Sequence, residues 1–141
     1  IVMKKFTTSI VQNQTGPEKT ISLNRTVNLL TAIKNFRVNL VLFPEMFQCP
    51  YSLESFPVFA EDIPNGETSH FLSNLARQYG IYLIGGSIPE KRGNRYFNTT
   101  IAYNPSGEII GIYRKIHLFD VDLKIFTFKN QQFSLLGILP F

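Results

Sequence analysis

Two side chains that could do chemistry together stand four positions apart in the stretch LFPEMFQCPY, residues 42–51. Glu45 follows an apolar run and Pro44, and Cys49 is the only cysteine of the chain. A glutamate can act as a general base, and a cysteine thiolate is a strong nucleophile. This spacing raises the hypothesis that Glu45 activates Cys49 for covalent catalysis.

The position of Glu45 favours a catalytic role. The run NLVLFP, residues 39–44, predicts a strand buried on both faces, and open α/β folds gather their active sites at the carboxyl ends of strands. Burial beside this run would raise the pKa of the carboxyl group toward that of a general base. A structural cap or an ion pair is the other role that the residues leave open for Glu45.

A second charged group stands at a predicted strand end in YRKIHLFD, residues 113–120. Lys115 could stabilise an oxyanion and pair with the distant carboxylate, although many strand-end lysines are only surface charge. His117 could transfer protons, but no triad spacing surrounds it, so a hydrogen-bonded structural role is favoured. The two acidic residues of DVD, residues 120–122, are weak support for a cation site.

Composition indicates one soluble domain. The chain has 141 residues, of which 44% are hydrophobic and 17% charged, and its net charge is +4. The 14 lysines and arginines are scattered, which argues against a nucleic-acid-binding face. A single cysteine fits a reducing compartment, and neither a signal peptide nor a membrane-spanning run is visible, so we expect a cytoplasmic protein. Because the chain opens with Ile1, the presence of an upstream targeting segment stays an open question.

The elements that must position Glu45 and Lys115 alternate between strands and helices. Leu23, Val27, Leu30 and Ile33 recur at helical spacing after Pro17 and predict an amphipathic helix. A second helix is predicted over 66–80, with Gly80 as its C-terminal cap. The predicted strands cover residues 4–13, 39–44, 81–87, 95–104 and 108–115, and the last two flank the turn PSG as a hairpin.

This order predicts an α/β fold with a mixed sheet and helices on at least one face. Within it, Gly85 and Gly86 of IGGS do not form a phosphate loop, because the glycine spacing and the Lys-Ser/Thr ending of that motif are absent.

Together these segments resemble the nitrilase, or carbon-nitrogen hydrolase, superfamily. The resemblance rests on NLVLFPEMF (39–47), IPNGETSHFLSNLARQYGIYLIGGSIPE (63–90) and YFNTTIAYNPSGEIIGIYRKIHLFDVD (96–122). Within the superfamily, FPVFAEDIPNGET, YLIGGSIPE and RKIHLFDVD are most similar to the omega-amidase branch.

The resemblance implies hydrolysis of a small-molecule amide, such as alpha-ketoglutaramate or alpha-ketosuccinamate, to an alpha-keto diacid and ammonia. It implies Glu45 as the general base, Lys115 as the oxyanion stabiliser and a cysteine as the nucleophile. Tyr51 would be a wall of the substrate pocket, although a packing role is an equal alternative. No organic cofactor, metal, nucleic acid or membrane is implied, and a homodimer is expected.

The implied fold is a four-layer α-β-β-α sandwich, of which residues 1–128 would form the N-terminal part. One sheet face would then be bare, so we expect this polypeptide alone to be poorly soluble or oligomeric. Residues 129–141 diverge from the family, and we interpret them as a product of a truncated gene model, a frameshift or an unspliced intron.

Two family features are missing after Lys115. The chain holds no Gly-x-x-x-Cys-Tyr or Cys-Trp elbow, and KNQQ, residues 129–132, stands where a second glutamate is expected. The family motif requires no thiol at Cys49, so we expect the nucleophile to be absent and the chain to be inactive alone. A catalytically dead binding or dimerisation module is the alternative, and a basic RNA-associated domain is a third.

Overall fold

The computed structural model describes residues 5–118, in which strands and helices follow one another in a mixed α/β order. The elements are β1 (Thr8–Ile10), α1 (Lys19–Ala32), β2 (Leu40–Leu42), α2 (Ser55–Phe59), α3 (Glu67–Tyr79), β3 (Tyr82–Ile84), β4 (Ile88–Arg92), β5 (Arg95–Tyr103) and β6 (Ile109–Arg114). The predicted acidic pair at 120–122 and the predicted boundary at residue 128 lie outside this part of the chain.

One mixed sheet joins all the described strands. β1, β2 and β3 are parallel, and β5 runs antiparallel to β3, β4 and β6. The mixed sheet that the sequence predicts is therefore confirmed. The hairpin of β5 and β6 is confirmed as well, and the side-chain oxygen of Asn104 accepts the backbone N–H groups of Ser106 and Glu108 in its turn.

The hydrophobic core lies between the sheet and the helices α1 and α3. Leu23 and Leu30 of α1 and Leu72, Leu75 and Ala76 of α3 are buried with apolar residues of the sheet. The strand residues that line this helical face alternate along each strand, as a pleated sheet requires, and include Val41, Leu83, Ile101 and Tyr103. The two amphipathic helices thus cover one face of the sheet.

The helix ends follow from local residue choice. Gly80 adopts a left-handed conformation, with φ 63° and ψ 40°, and its N–H bonds to carbonyl groups of the last turn of α3. Glycine adopts this conformation without steric cost, so the predicted cap is confirmed. The first helix begins at Lys19 rather than at Pro17, which lies just before it.

The opposite face of the sheet carries apolar side chains that are not fully buried. Ile10 is 75% exposed and Tyr82 is 45% exposed, while Leu40, Leu42 and Ile84 are half-buried. The prediction that the strand at 39–44 is buried on both faces is therefore wrong for the described residues. Only the side of β2 that faces the helices, represented by Val41, is fully buried.

The predicted strand over 81–87 is shorter than expected, and a strand that the sequence did not indicate follows it. β3 ends at Ile84, and β4 begins at Ile88 on the same edge of β5. Gly86 between them has a φ of 58°, which takes the backbone out of the strand conformation. The break makes room for the loop that carries Glu45.

In the described residues, no helix is long and apolar enough to cross a membrane.

Candidate active site

Glu45 and Lys115 meet on the side of the sheet opposite the helices. The Lys115 ammonium Nζ donates to the Glu45 carboxylate oxygen Oε1 at 2.8 Å, across a separation of 70 residues. Glu45 lies three residues beyond the end of β2, and Lys115 directly follows β6. The predicted pairing of these two strand-end charges is therefore present. Both side chains are partly exposed, Glu45 by 39% and Lys115 by 36%.

Asn98 is a third member of this cluster, and the sequence reasoning missed it. Its amide Nδ2 donates to the same Glu45 oxygen, Oε1, at 2.6 Å. Its carbonyl oxygen accepts the backbone N–H of Lys115 at 2.8 Å. Asn98 thus contacts the carboxylate with its side chain and the strand end that carries Lys115 with its backbone.

The loop that carries Glu45 sits against the break between β3 and β4. The backbone N–H of Phe43 bonds to Ile84, the N–H of Ser87 bonds to the Pro44 carbonyl, and the Ser87 hydroxyl accepts the N–H of Met46. A Cβ atom on Gly86 would stand 2.0 Å from the Pro44 carbonyl oxygen. Gly86 of the IGGS segment therefore permits a close backbone contact beside Glu45.

The ion pair keeps Glu45 charged. The pKa of Glu45 is lowered from its ordinary value of 4.5, mainly because Lys115 donates a hydrogen bond to it, and burial opposes this change only partly. Asn98 and Tyr51 lower it further. The pKa of Lys115 is raised, chiefly by its hydrogen bond to Glu45. The prediction that burial raises the pKa of Glu45 is therefore wrong, since the carboxylate is exposed at the strand end and carries two donors.

Tyr51 lies at the rim of the cluster. It is 61% exposed, and its ring packs edge-on against Phe56 at a centroid distance of 5.5 Å. It also lies close enough to lower the pKa of Glu45. Both roles that the sequence leaves open, packing and lining a site, are compatible with this position.

Cys49 does not take part in the cluster. Its side chain is fully buried, and burial raises the pKa of its thiol to about 12. Lys19 lies near enough to lower that pKa, but its effect is smaller than that of burial. A buried and protonated thiol is a poor nucleophile, so the opening hypothesis of a Glu45–Cys49 pair is wrong.

The remaining candidate groups stand apart from Glu45. His117 is exposed and belongs to none of the contacts described above. No group of three or more His, Cys, Asp or Glu side chains in residues 5–118 is arranged to hold a metal ion. The acidic residues of 120–122 lie outside the described part of the chain.

Two further carboxylates are buried, one in β4 and one in the segment between α2 and α3. Glu90 is fully buried and forms an ion pair with Arg114 at 2.6 Å. Glu61 is 7% exposed and contacts the Lys19 ammonium at 2.6 Å. It also accepts the backbone N–H of Thr68 at the start of α3, at 2.7 Å, and so caps that helix from outside.

Comparison with known proteins places this chain in a family. The carbon-nitrogen hydrolase family matches residues 7–135. Omega-amidase NIT2-B of Xenopus laevis is 42% identical over 121 residues, which cover 86% of this chain and 44% of that protein. The chain thus spans less than half the length of that relative.

Solved structures give the same result for the fold. Nit3 of Saccharomyces cerevisiae, a member of branch 10 of the nitrilase superfamily, is 34% identical with a TM-score of 0.68, and the match covers 73% of this chain and 41% of that one. A carbon-nitrogen hydrolase of Helicobacter pylori is 28% identical with a TM-score of 0.72, and the match covers 82% of this chain and 41% of that one. On its sequence match and its fold, this chain belongs to the carbon-nitrogen hydrolase family, within the nitrilase superfamily.

Proposed function

We propose that this chain supplies the general base and the oxyanion-stabilising cation of an amide hydrolase. The observation that carries the proposal is the contact at 2.8 Å between the Lys115 ammonium and the Glu45 carboxylate. The two groups come from different strand ends of a carbon-nitrogen hydrolase fold, and both are charged at neutral pH because each shifts the pKa of the other toward the ionised form.

Each group has a distinct part in the proposed reaction. Glu45 takes the proton of an attacking thiol and delivers it to the leaving ammonia. Lys115 holds a fixed positive charge where the attacked carbonyl oxygen becomes negative, which stabilises the transition state. Glu45 then takes a proton from the water that attacks the thioester and returns this proton to the leaving sulfur, which releases the acid and regenerates the free thiol and the Glu45 carboxylate.

The thiol must come from outside these 141 residues. Cys49 is the only cysteine of the chain, and its burial leaves it protonated and inaccessible. We therefore propose that the chain is inactive alone and that its Glu45–Lys115 site works only when further polypeptide supplies the nucleophile.

The proposed substrate is an omega-amide of an alpha-keto acid, either alpha-ketoglutaramate or alpha-ketosuccinamate. Support comes from the similarity to omega-amidase NIT2-B. We propose a homodimer and a cytoplasmic location for the complete protein. These 141 residues hold one cysteine and so no disulfide among themselves, which supports a reducing compartment.

The deciding experiment begins with the genomic sequence downstream of Phe128, read in all three frames. An open frame with a Gly-x-x-x-Cys-Tyr elbow supports the enzyme, and the extended protein should then release ammonia from alpha-ketoglutaramate. Glu45→Gln and Lys115→Met should each abolish that release, whereas Cys49→Ser should retain it. Release of ammonia by the 141-residue chain that Glu45→Gln abolishes would contradict the proposed inactivity.

A binding or dimerisation module is the second candidate function. The observation that favours it is again the burial of the only cysteine, which leaves the pair of Glu45 and Lys115 without a usable nucleophile in this chain. A stop codon with no elbow-encoding frame nearby, together with a stable dimer in sedimentation, would support the module over the enzyme.

A further inference from the structure

The hairpin of β5 and β6 carries a second carboxylate cluster on the face opposite Glu45. Glu90 of β4 is fully buried, and both of its oxygens accept bonds from the Arg114 guanidinium, at 2.6 Å from Nη2 and 2.7 Å from Nε. The Thr99 hydroxyl donates to Glu90 Oε2 at 2.6 Å. The Arg114 guanidinium also lies 4.8 Å from the centre of the Phe97 ring, which fixes its plane further.

The pleat of the two strands connects this buried cluster to the site. Thr99 and Arg114 are partners in the β5–β6 register, and both point toward Glu90. Successive side chains of a strand point to opposite faces, so the adjacent residues Asn98 and Lys115 reach Glu45 on the other side. In each of these two neighbouring pairs, one residue therefore contacts Glu90 and the other contacts Glu45.

The buried contact is well suited to hold the register of this hairpin. A two-pronged bond between arginine and a carboxylate has a defined geometry, and a fully buried carboxylate without its partner is strongly unfavourable. A slip of β6 along β5 would separate Arg114 from Glu90 and leave that charge unpaired. The same slip would move Lys115 away from Glu45.

We propose that Glu90 is a positioning residue for the Glu45–Lys115 site, acting through Arg114 and Thr99 on the register of β5 and β6. The inference rests on the proposed function only in that Glu45 and Lys115 are its reacting groups. The geometric link itself is independent of turnover.

A trace of acetic anhydride provides the test, because only an unprotonated and unpaired lysine amine reacts. The acylation rate of Lys115 in the 141-residue chain is measured by peptide mass spectrometry at mildly alkaline pH, relative to that of the exposed Lys34. Glu90→Gln removes the negative charge of the buried carboxylate. Arg114→Lys keeps the positive charge at position 114 but removes the two parallel hydrogen bonds of the guanidinium group. Glu61→Gln is the matched control, because Glu61 is a buried, ion-paired carboxylate whose side chain bonds to Lys19 and Thr68 instead.

The relative rate of Lys115 should rise about two- to five-fold in Glu90→Gln and Arg114→Lys, as expected for the loss of a partly exposed ion pair. It should stay unchanged in Glu61→Gln. An unchanged rate in the two test variants, or an equal rise in the control, would overturn the proposal. If Glu90→Gln does not fold by circular dichroism, the milder Arg114→Lys decides alone.

Failure of this inference is distinguishable from failure of the proposed function. Absence of amide hydrolysis by the extended protein would remove the proposed reaction without changing the acylation rates. Unchanged acylation rates would remove the positioning role of Glu90 while leaving any measured hydrolysis in place.

Discussion

Asn98 and Lys115 are joined by a backbone hydrogen bond of 2.8 Å, and their side chains both donate to the same oxygen of Glu45. The carboxylate is thus held from two adjacent strands by one neutral and one charged donor. Hydrogen bonds to the ionised form of a carboxyl group favour that form. The arrangement keeps Glu45 in the ionised form that a general base requires, and two contacts fix its position.

The contribution of Asn98 can be measured directly. Asn98→Ala should raise the pKa of Glu45 toward the ordinary value of 4.5, because a donor to the carboxylate is lost. Carbon-13 NMR of the carboxyl groups against pH reports this change. Asn104→Ala is the control, since the Asn104 amide donates to Glu108 instead. An unchanged pKa of Glu45 in Asn98→Ala would show that the Asn98 hydrogen bond does not contribute to the ionisation of Glu45.

The Glu45–Lys115 pair should stabilise the fold only within a pH window. The pKa of Glu45 is lowered on folding, so its contribution is present above 4.5 and lost as the pH falls through the lower folded value. The pKa of Lys115 is raised, so its contribution is present below 10.5 and lost as the pH rises through the higher folded value. The pair therefore acts between these two folded values.

Urea unfolding of Glu45→Gln tests this window. At neutral pH the substitution should reduce the free energy of unfolding by about 0.5 kcal/mol, a value typical of solvent-screened pairs. Below the folded pKa of Glu45 the difference should vanish, because the Glu45 carboxyl group is then neutral, as the glutamine amide of the variant is at every pH. Glu54→Gln, at an exposed position, is the control. A difference that persists in acid would assign the effect to packing rather than to charge.

Gly86 should be sensitive to substitution beyond the strain of its backbone. Gly86 and Gly93 have nearly equal φ angles, 58° and 59°, but an added Cβ meets the Pro44 carbonyl only at Gly86 and meets nothing within 4 Å at Gly93. Gly93→Ala should cost about 1–2 kcal/mol of unfolding free energy from the left-handed conformation. Gly86→Ala should cost about 1–3 kcal/mol more from the clash, as measured by urea unfolding. Equal losses of unfolding free energy in the two variants would mean that the loop carrying Glu45 moves to relieve the clash without cost.

Cys49 should resist alkylation in the folded protein. A thiol pKa of about 12 instead of 9.0 leaves about 10³-fold less thiolate at pH 8, and full burial blocks access of the reagent. Iodoacetamide labelling followed by mass spectrometry should therefore be slow in buffer and fast in concentrated urea, where the unfolded chain is the internal control. Rapid stoichiometric labelling of the folded chain would contradict this prediction and make Cys49 a candidate nucleophile again.

The sequence predicted the pair of Glu45 and Lys115 because both follow apolar strand patterns, and strand ends are positions where charges gather. It did not predict Asn98, because an asparagine within a strand carries no motif. A signal was nonetheless present. In the predicted hairpin, Asn98 alternates with Thr99 as Lys115 does with Arg114, so each of these neighbouring pairs places one polar side chain on each face. Assigning the hairpin register first would have placed Asn98 beside Lys115.

Two fold predictions failed for physical reasons. The apolar strand at 39–44 was predicted to be buried on both faces because composition does not show which neighbour covers each face, and in residues 5–118 the helices cover only one. The apolar run at 81–87 predicts a continuous strand because no residue in it other than the two glycines, Gly85 and Gly86, indicates a break. The close approach of Pro44 to Gly86 depends on a tertiary contact that local sequence does not show.

The division of side chains between Glu45 and Glu90 has a consequence for length variation in the hairpin. Because strand side chains alternate with a period of two, shifting β6 by one residue would bring Arg114 to the face of Glu45 and turn Lys115 toward the buried face. A shift by two residues would restore the faces but displace both groups along the strand. Single-residue insertions within β5 or β6 should therefore be far less acceptable than insertions in the exposed turn at Ser106.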